Sequence, residues 1–263
     1  MWPSTATGVR APSRPPSLLL DGPTLAAVAV LAVGAAIVSG MSGFGTGVIL
    51  TAALVPLIGI NAVIPVLAVA GVIINAGRFW FYRASLDRRA LSVVVAASLP
   101  FLVLGTWIYT LLDARTLGTV LGILVIAFIP ARRFLRARSI VLGTASLAAG
   151  SGVFGLASGV ASGTGVILVS LLLGAGLTGQ AVLATDALTT IALDLCKAAL
   201  FQRFDLLDAE AAATGVVIGV ATIPGSAVAA WLVTRIGAHL HVLFIEALIF
   251  LGGSFMLWHA WKS

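Results

Sequence analysis

From Gly22 to Gly77 this chain carries no formal charge. In soluble proteins about a quarter of residues are charged, and a membrane span needs only about 20 predominantly apolar residues, so a run of this length has room for more than one crossing. Further charge-free runs extend over Ala90–Leu112, Thr116–Ala131, Ser139–Thr185 and Ala211–Thr234. With 60% apolar and 9% charged residues overall, the expectation is an all-α polytopic membrane protein. Its hydrophobic segments fall near 24–40, 45–58, 62–82, 90–111 and 116–131, then 140–159, 163–175, 181–201, 211–233 and 241–258, about eight to ten depending on how the short ones are counted. Residues 1–23 are proline-rich, carry Arg10 and Arg14, and read as a disordered tail leading to an uncleaved first span.

The net charge of +6 does not point to nucleic acid. Eight of the fifteen basic residues fall in two short stretches, Arg78–Arg89 and Arg132–Arg138, which is how membrane topology is written. No stretch is long enough for a soluble domain that would present a basic face to DNA. The lone Cys196 excludes an intramolecular disulfide framework and cannot by itself make a thiolate metal site.

The segments form two sets of five. "GTGVIL" occurs at 45–50 and returns at 163–168; "SG" precedes it at 39–40 and 158–159, and "AV" at 62–63 returns at 181–182. The acidic step at Asp87 finds its counterpart at Asp205. The chain therefore reads as an internal duplication, repeat 1 over 24–138 and repeat 2 over 139–263. Residues 24–57 as one straight helix would be about 50 Å long, against a hydrocarbon core of about 30 Å, so the glycine cluster is expected to break the first helix of each repeat. Unwound backbone at membrane depth must be enclosed by protein or line a watery cavity, and paired breaks point to a transporter site where helix N-termini offer N–H groups to an anion. Glycines that only let helices pack closely are the competing explanation. The site reading takes in Gly43, Gly45, Thr46 and Gly47 in the first copy, and Ser162, Gly163, Thr164 and Gly165 in the second.

The duplicated "SGxxGxGxG"-like first helix, the run "GLTGQAVLATDA" and the step "FYRASLD" resemble the TauE/SafE family of sulfite exporters, also called the four-toluene-sulfonate uptake family. The resemblance covers nearly all of residues 24–259. It implies a permease of the cell (inner) membrane, multi-pass, moving sulfite, sulfonates or related small sulfur-containing anions without a cofactor. The first copy reads "NAVIPVLAVAG" where the second reads "QAVLATDALTT", so the polar character is confined to one half.

Ionisable residues within spans are costly and usually face a protein interior or cavity. Asp194 and Lys197 share a helix face and match Asn75 and Arg78 in the first copy, so each repeat has a polar residue followed three later by a cation. These four join the candidate substrate contacts, although a long cation near a helix end can instead snorkel to the interface. Asp186, among Thr185, Thr189 and Thr190, reads either as a helix cap or as a contact. Asp186, Asp194 and Glu246 are the candidate proton carriers, because no Gly-x-x-x-x-Gly-Lys-Ser/Thr motif is present to drive transport by hydrolysis.

Loops 83–89 and 132–138 are basic and fit the cytoplasmic side, whereas "RFDLLDAE" at 203–210 has one arginine and three acids and favours the opposite face. That makes inverted repeats the preferred arrangement over parallel ones. The expected partners are a small anionic substrate and the lipid bilayer, with homo-oligomerisation left open. An enzyme would need a convergent nucleophile, base or metal cluster, which three histidines within 239–259 and one remote cysteine do not make. Transport of another small organic anion, or a structural scaffold, remains as an alternative.

Overall fold

The computed structural model describes residues 22–42, 46–113 and 142–233, with isolated positions between 115 and 123 and between 254 and 261. The described residues form eight α-helices and no strand: α1 (Gly22–Ser42), α2 (Thr46–Ile58), α3 (Ile60–Tyr82), α4 (Arg88–Leu111), α5 (Thr144–Val160), α6 (Gly165–Gly174), α7 (Gln180–Arg203) and α8 (Ala209–Val233). Each begins and ends within a few residues of an apolar run read from the sequence. The runs at 116–131 and 241–258 lie outside the continuously described residues. Helix α1 takes in Gly22 and Pro23, two residues of the stretch expected to be tail; proline is tolerated in a first helical turn, where its missing N–H costs nothing.

Polar caps mark where the chain turns. Asp87 precedes α4 and accepts a hydrogen bond from the Ala90 amide at 2.9 Å. In the second half the sequence offset pairs Asp87 with Asp205, but the capping falls to Asp208, which accepts from the Ala211 amide at 2.8 Å. Asp205 instead takes a left-handed turn, with φ of 56°. The role moved because a cap is defined by its distance from the first helical turn, not by its alignment with a repeat.

Helices α3 and α7 cross antiparallel at the centre of the molecule: Gly71 stands against Asp194, and Arg78 further along α3 meets Asp186 earlier on α7. The other packings come in matched pairs, α1 on α8 with α5 on α4, and α3 on α8 with α7 on α4. Glycine permits the closest of these approaches. A Cβ at Gly159 would lie 2.6 Å from the Leu102 carbonyl oxygen, and Gly105 and Gly155 press equally hard on backbone across the α4–α5 seam. Ser98 Oγ, fully buried there, donates to the Ser151 carbonyl at 2.9 Å.

Around a largely apolar core, several polar and charged side chains are buried and many large apolar ones are exposed. Thr185, Asp186, Thr189, Asp194 and Lys197 are buried, while Val30, Trp80, Trp107, Val153 and Leu195 are exposed. This is the arrangement lipid demands, since apolar side chains meet hydrocarbon at no cost and polar ones must find partners inside. Among the described residues, two helices, Ile60–Trp80 and Arg88–Leu111, are long and apolar enough to cross a membrane by themselves. Helix α6 is much shorter, about 15 Å at 1.5 Å per residue.

The second glycine break folds its segment back on itself. Leu142 N donates to the Gly174 carbonyl at 2.7 Å, so the end of α6 returns to the level where α5 began. Gly150 lies against Leu171 within this α5–α6 hairpin, whose apex is residues 161–164.

Candidate functional site

The apex of the α5–α6 hairpin meets the start of α2. A Cβ at Gly47 would stand 2.6 Å from both the Gly163 amide nitrogen and Ser162 Oγ, so only glycine fits this contact. Gly163 has φ of 83°, a conformation that β-carbons disfavour and that lets the chain reverse between α5 and α6. The two glycine strings, 118 residues apart in sequence, are thus in van der Waals contact.

Beside this contact lies a cavity of about 100 Å³, against the roughly 10–15 Å³ of such space that one water needs. Thr46, Gly47, Ser162, Gly163, Thr164 and Gly165 line one side, with α3 and α7 opposite. The N-terminal turns of α2 and α6 both open onto it. A helix N-terminus such as that of α6 carries N–H groups without intrahelical partners and the positive end of the helix dipole. Thr164 precedes α6 but does not cap it with its side chain; its hydroxyl shares a short hydrogen bond with Ser158 Oγ.

Four charged side chains reach the cavity. On α7, Lys197 is only 4% exposed; its Nζ lies 3.1 Å from Asp194 Oδ1 and donates to the Ser158 carbonyl, also at 3.1 Å. The option that this lysine snorkels outward is therefore overturned, because both of its bonds point into the protein. On α3, Arg78 Nη1 donates to Asn75 Oδ1 at 3.1 Å, and Asn75 Nδ2 in turn donates to the Gly71 carbonyl at 2.9 Å. The other guanidinium nitrogen of Arg78 approaches Asp186 Oδ2 to 3.1 Å. That approach satisfies distance but not hydrogen-bond alignment, leaving Arg78 Nη2 and Asp186 Oδ1 buried without a hydrogen-bond partner.

Asp186 is not a helix cap. Gly179 precedes α7, and Asp186 lies nearly two turns inside it, facing Arg78 across the cavity. Of the residues singled out from the sequence, Thr46, Gly47, Asn75, Arg78, Ser162, Gly163, Thr164, Gly165, Asp186, Asp194 and Lys197 line this one cavity. Gly43, Gly45 and Glu246 lie outside the described residues. Leu67, Gly71 and Phe154 also line it and were not singled out, since nothing local separates them from packing residues. Gly71 is the glycine of α3 against which Asp194 packs, where a Cβ would collide with that carboxylate, a contact that only the tertiary structure reveals.

Residues 27–256 match the family model described as "Sulfite exporter TauE/SafE". The chain belongs to the TauE/SafE family. No match is found among curated proteins or among solved structures. Membership makes this TauE/SafE chain an integral membrane protein of a transport family, and its exposed apolar side chains and buried polar groups agree with that. For a TauE/SafE protein, the cavity where the two glycine strings meet combines a helix N-terminus, hydroxyls, the buried Lys197 and the partly buried Arg78, which are the groups that complement oxyanions.

Proposed function

We propose that this chain is a secondary transporter that carries sulfite or a related small sulfur-containing anion through the inner membrane, binding it in the cavity between the two glycine breaks. The observation that carries the reading is the contact of Gly47 with Gly163, which brings the starts of α2 and α6 and the cations Arg78 and Lys197 around one small space. Substrate oxygens take N–H groups at the starts of α2 and α6 and the hydroxyl of Thr164, while Arg78 and Lys197 supply positive charge. A cavity of about 100 Å³ has room for a small anion such as sulfite or methanesulfonate.

The repeats, 24–138 and 139–263, are inverted in this proposal. Support comes from the antiparallel crossing of α3 and α7, which occupy equivalent places in the two copies, and from the matched packing of α1 on α8 and α5 on α4. A two-fold axis in the membrane plane turns equivalent helices end for end, and alternating access is then a rocking of one half against the other. The driving force is a solute gradient.

The test is solute flux into proteoliposomes with labelled sulfite, methanesulfonate, thiosulfate and sulfate offered in parallel. Protein-dependent, saturable uptake of sulfite or methanesulfonate is expected. Uptake of none of the four above protein-free vesicles would remove the transporter reading.

A further inference from the structure

We propose that Asp186 is the seat of a co-transported proton, and that its protonation releases Arg78 to the anion, so that the carrier moves one proton with each monoanion. The inference rests on the transporter reading of the same cavity. It starts from charge. Among the described residues, Arg78 and Lys197 are balanced in the cavity by Asp186 and Asp194, so the site as it stands is neutral and a lone anion would leave it with an uncompensated charge. Burying an unpaired charge is strongly unfavourable, so one carboxylate must lose its charge as the anion binds.

Geometry selects Asp186 over Asp194. Asp194 is tied to Lys197, which is itself anchored on the Ser158 carbonyl, and its second oxygen packs against Gly71. Asp186 is held less firmly, by its ion pair with Arg78 at 3.1 Å alone. It is 2% exposed, its Oδ1 has no hydrogen-bond partner, and its pairing with Arg78 lacks an aligned hydrogen bond. A proton on Oδ1 forms one O–H bond and leaves the carboxyl neutral; Arg78 Nη2, already without a hydrogen-bond acceptor, then turns to an oxygen of the anion. Site charge goes from zero to plus one with the proton and back to zero with the monoanion. Release on the other side reverses both steps, so proton and anion travel together in whichever direction their summed gradients point.

Among the described residues, the surroundings of Asp186 leave Arg78 as its partner. Asp194 and Lys197 lie further along α7 and pair with each other. From the turn before α4, the Asp87 amide donates to Thr185 Oγ1 at 3.2 Å, while the Asp87 carboxylate is engaged by the Ala90 amide, and Arg83, Arg88 and Arg89 are exposed there. Helices α5 and α6 carry no titratable side chain.

The experiment reads the accumulation ratio in proteoliposomes against an imposed pH difference and, separately, an imposed potassium–valinomycin potential. Sulfite and methanesulfonate are both offered, the second because it is a monoanion at every pH used, and protein-free vesicles correct for diffusion. For the wild type, accumulation should rise about tenfold per pH unit, a tenfold proton gradient being worth about 1.4 kcal/mol, and should ignore the potential. Asp186→Asn fixes the neutral state: accumulation should ignore the pH difference and change about tenfold per ~59 mV, as for a carrier of one net charge. Wild-type accumulation that follows the potential, or Asp186→Asn accumulation that still follows pH, overturns the proposal. Should Asp186→Asn carry nothing, Asp186→Glu decides: pH-driven accumulation with a displaced acid limb supports the assignment, and an unchanged pH profile places the proton elsewhere. If the wild type carries neither anion above protein-free vesicles, the transport reading itself fails, and the coupling with it.

Discussion

Arg78 and Lys197 hold matching places in the two sequence copies, yet their neighbours differ. Lys197 has a carboxylate three residues before it on its own helix; Arg78 has Asn75 at that place and finds its carboxylate on another helix. Lys197→Met removes a buried charge from a pair, and breaking such a pair costs about 3–5 kcal/mol when the partner is left charged. Asp194 avoids part of that cost by taking up a proton. Lys197→Met is therefore expected to lower thermal stability in detergent and to weaken sulfite binding about tenfold or more, the worth of one charge-assisted hydrogen bond. Asp194→Asn combined with Lys197→Met should recover stability without recovering affinity. Wild-type affinity in the double mutant would take Lys197 out of the substrate site and leave the anion to Arg78 and the helix N-termini.

Glycines in α5 and its hairpin do two different jobs, and substitution separates them. At the α4–α5 seam, Gly155 presses on the Ser98 backbone, so Gly155→Ala should force the helices apart and cost about 1–3 kcal/mol, read as a lower melting temperature with transport kinetics intact in the protein that folds. Gly34 on α1 has nothing within 4 Å of an added Cβ, and Gly34→Ala should change stability by no more than about 0.5 kcal/mol. At the cavity, Gly47→Leu and Gly163→Leu place a branched side chain where the two breaks touch. Sulfite flux should be abolished while membrane-inserted protein remains at normal levels. Normal flux in either well-inserted variant would show that the breaks serve packing alone.

At the scale of the molecule, the turn before α4 and the turn before α8 lie at opposite ends of α7. Ser85 Oγ reaches Gln180 at the start of α7 with a separation of 3.3 Å, whereas residues 204–208 directly follow the end of α7. A helix the length of α7 spans about 36 Å, comparable with the bilayer core, so the two turns should emerge on opposite faces. In a Cys196→Ala background, an impermeant thiol reagent applied outside intact cells should label Ala209→Cys and spare Ala84→Cys, both exposed positions. Equal protection or equal labelling of the two would require parallel repeats and a different account of the α3–α7 crossing.

Much of this protein is written locally. Lipid obliges each backbone to satisfy its own hydrogen bonds, so apolar runs become helices wherever they stand, and the ends of α3, α4, α7 and α8 fall close to the charges and glycines that bound them in sequence. The second glycine string likewise announces the place where α5 stops and α6 begins. What no local pattern could determine is which side chains meet. The contact of Gly47 with Gly163, the partnership of Arg78 with Asp186 and the burial of Lys197 against Ser158 depend on the register in which separate helices cross. Asp186 illustrates the limit: among threonines near the start of a segment it has the composition of a cap, but α7 begins almost two turns earlier, and the antiparallel approach of α3 turns it into half of an ion pair. Helix formation is a property of neighbouring residues, and so the sequence alone determined it; charge pairing in a cavity is a property of distant ones, and only the tertiary structure decided it.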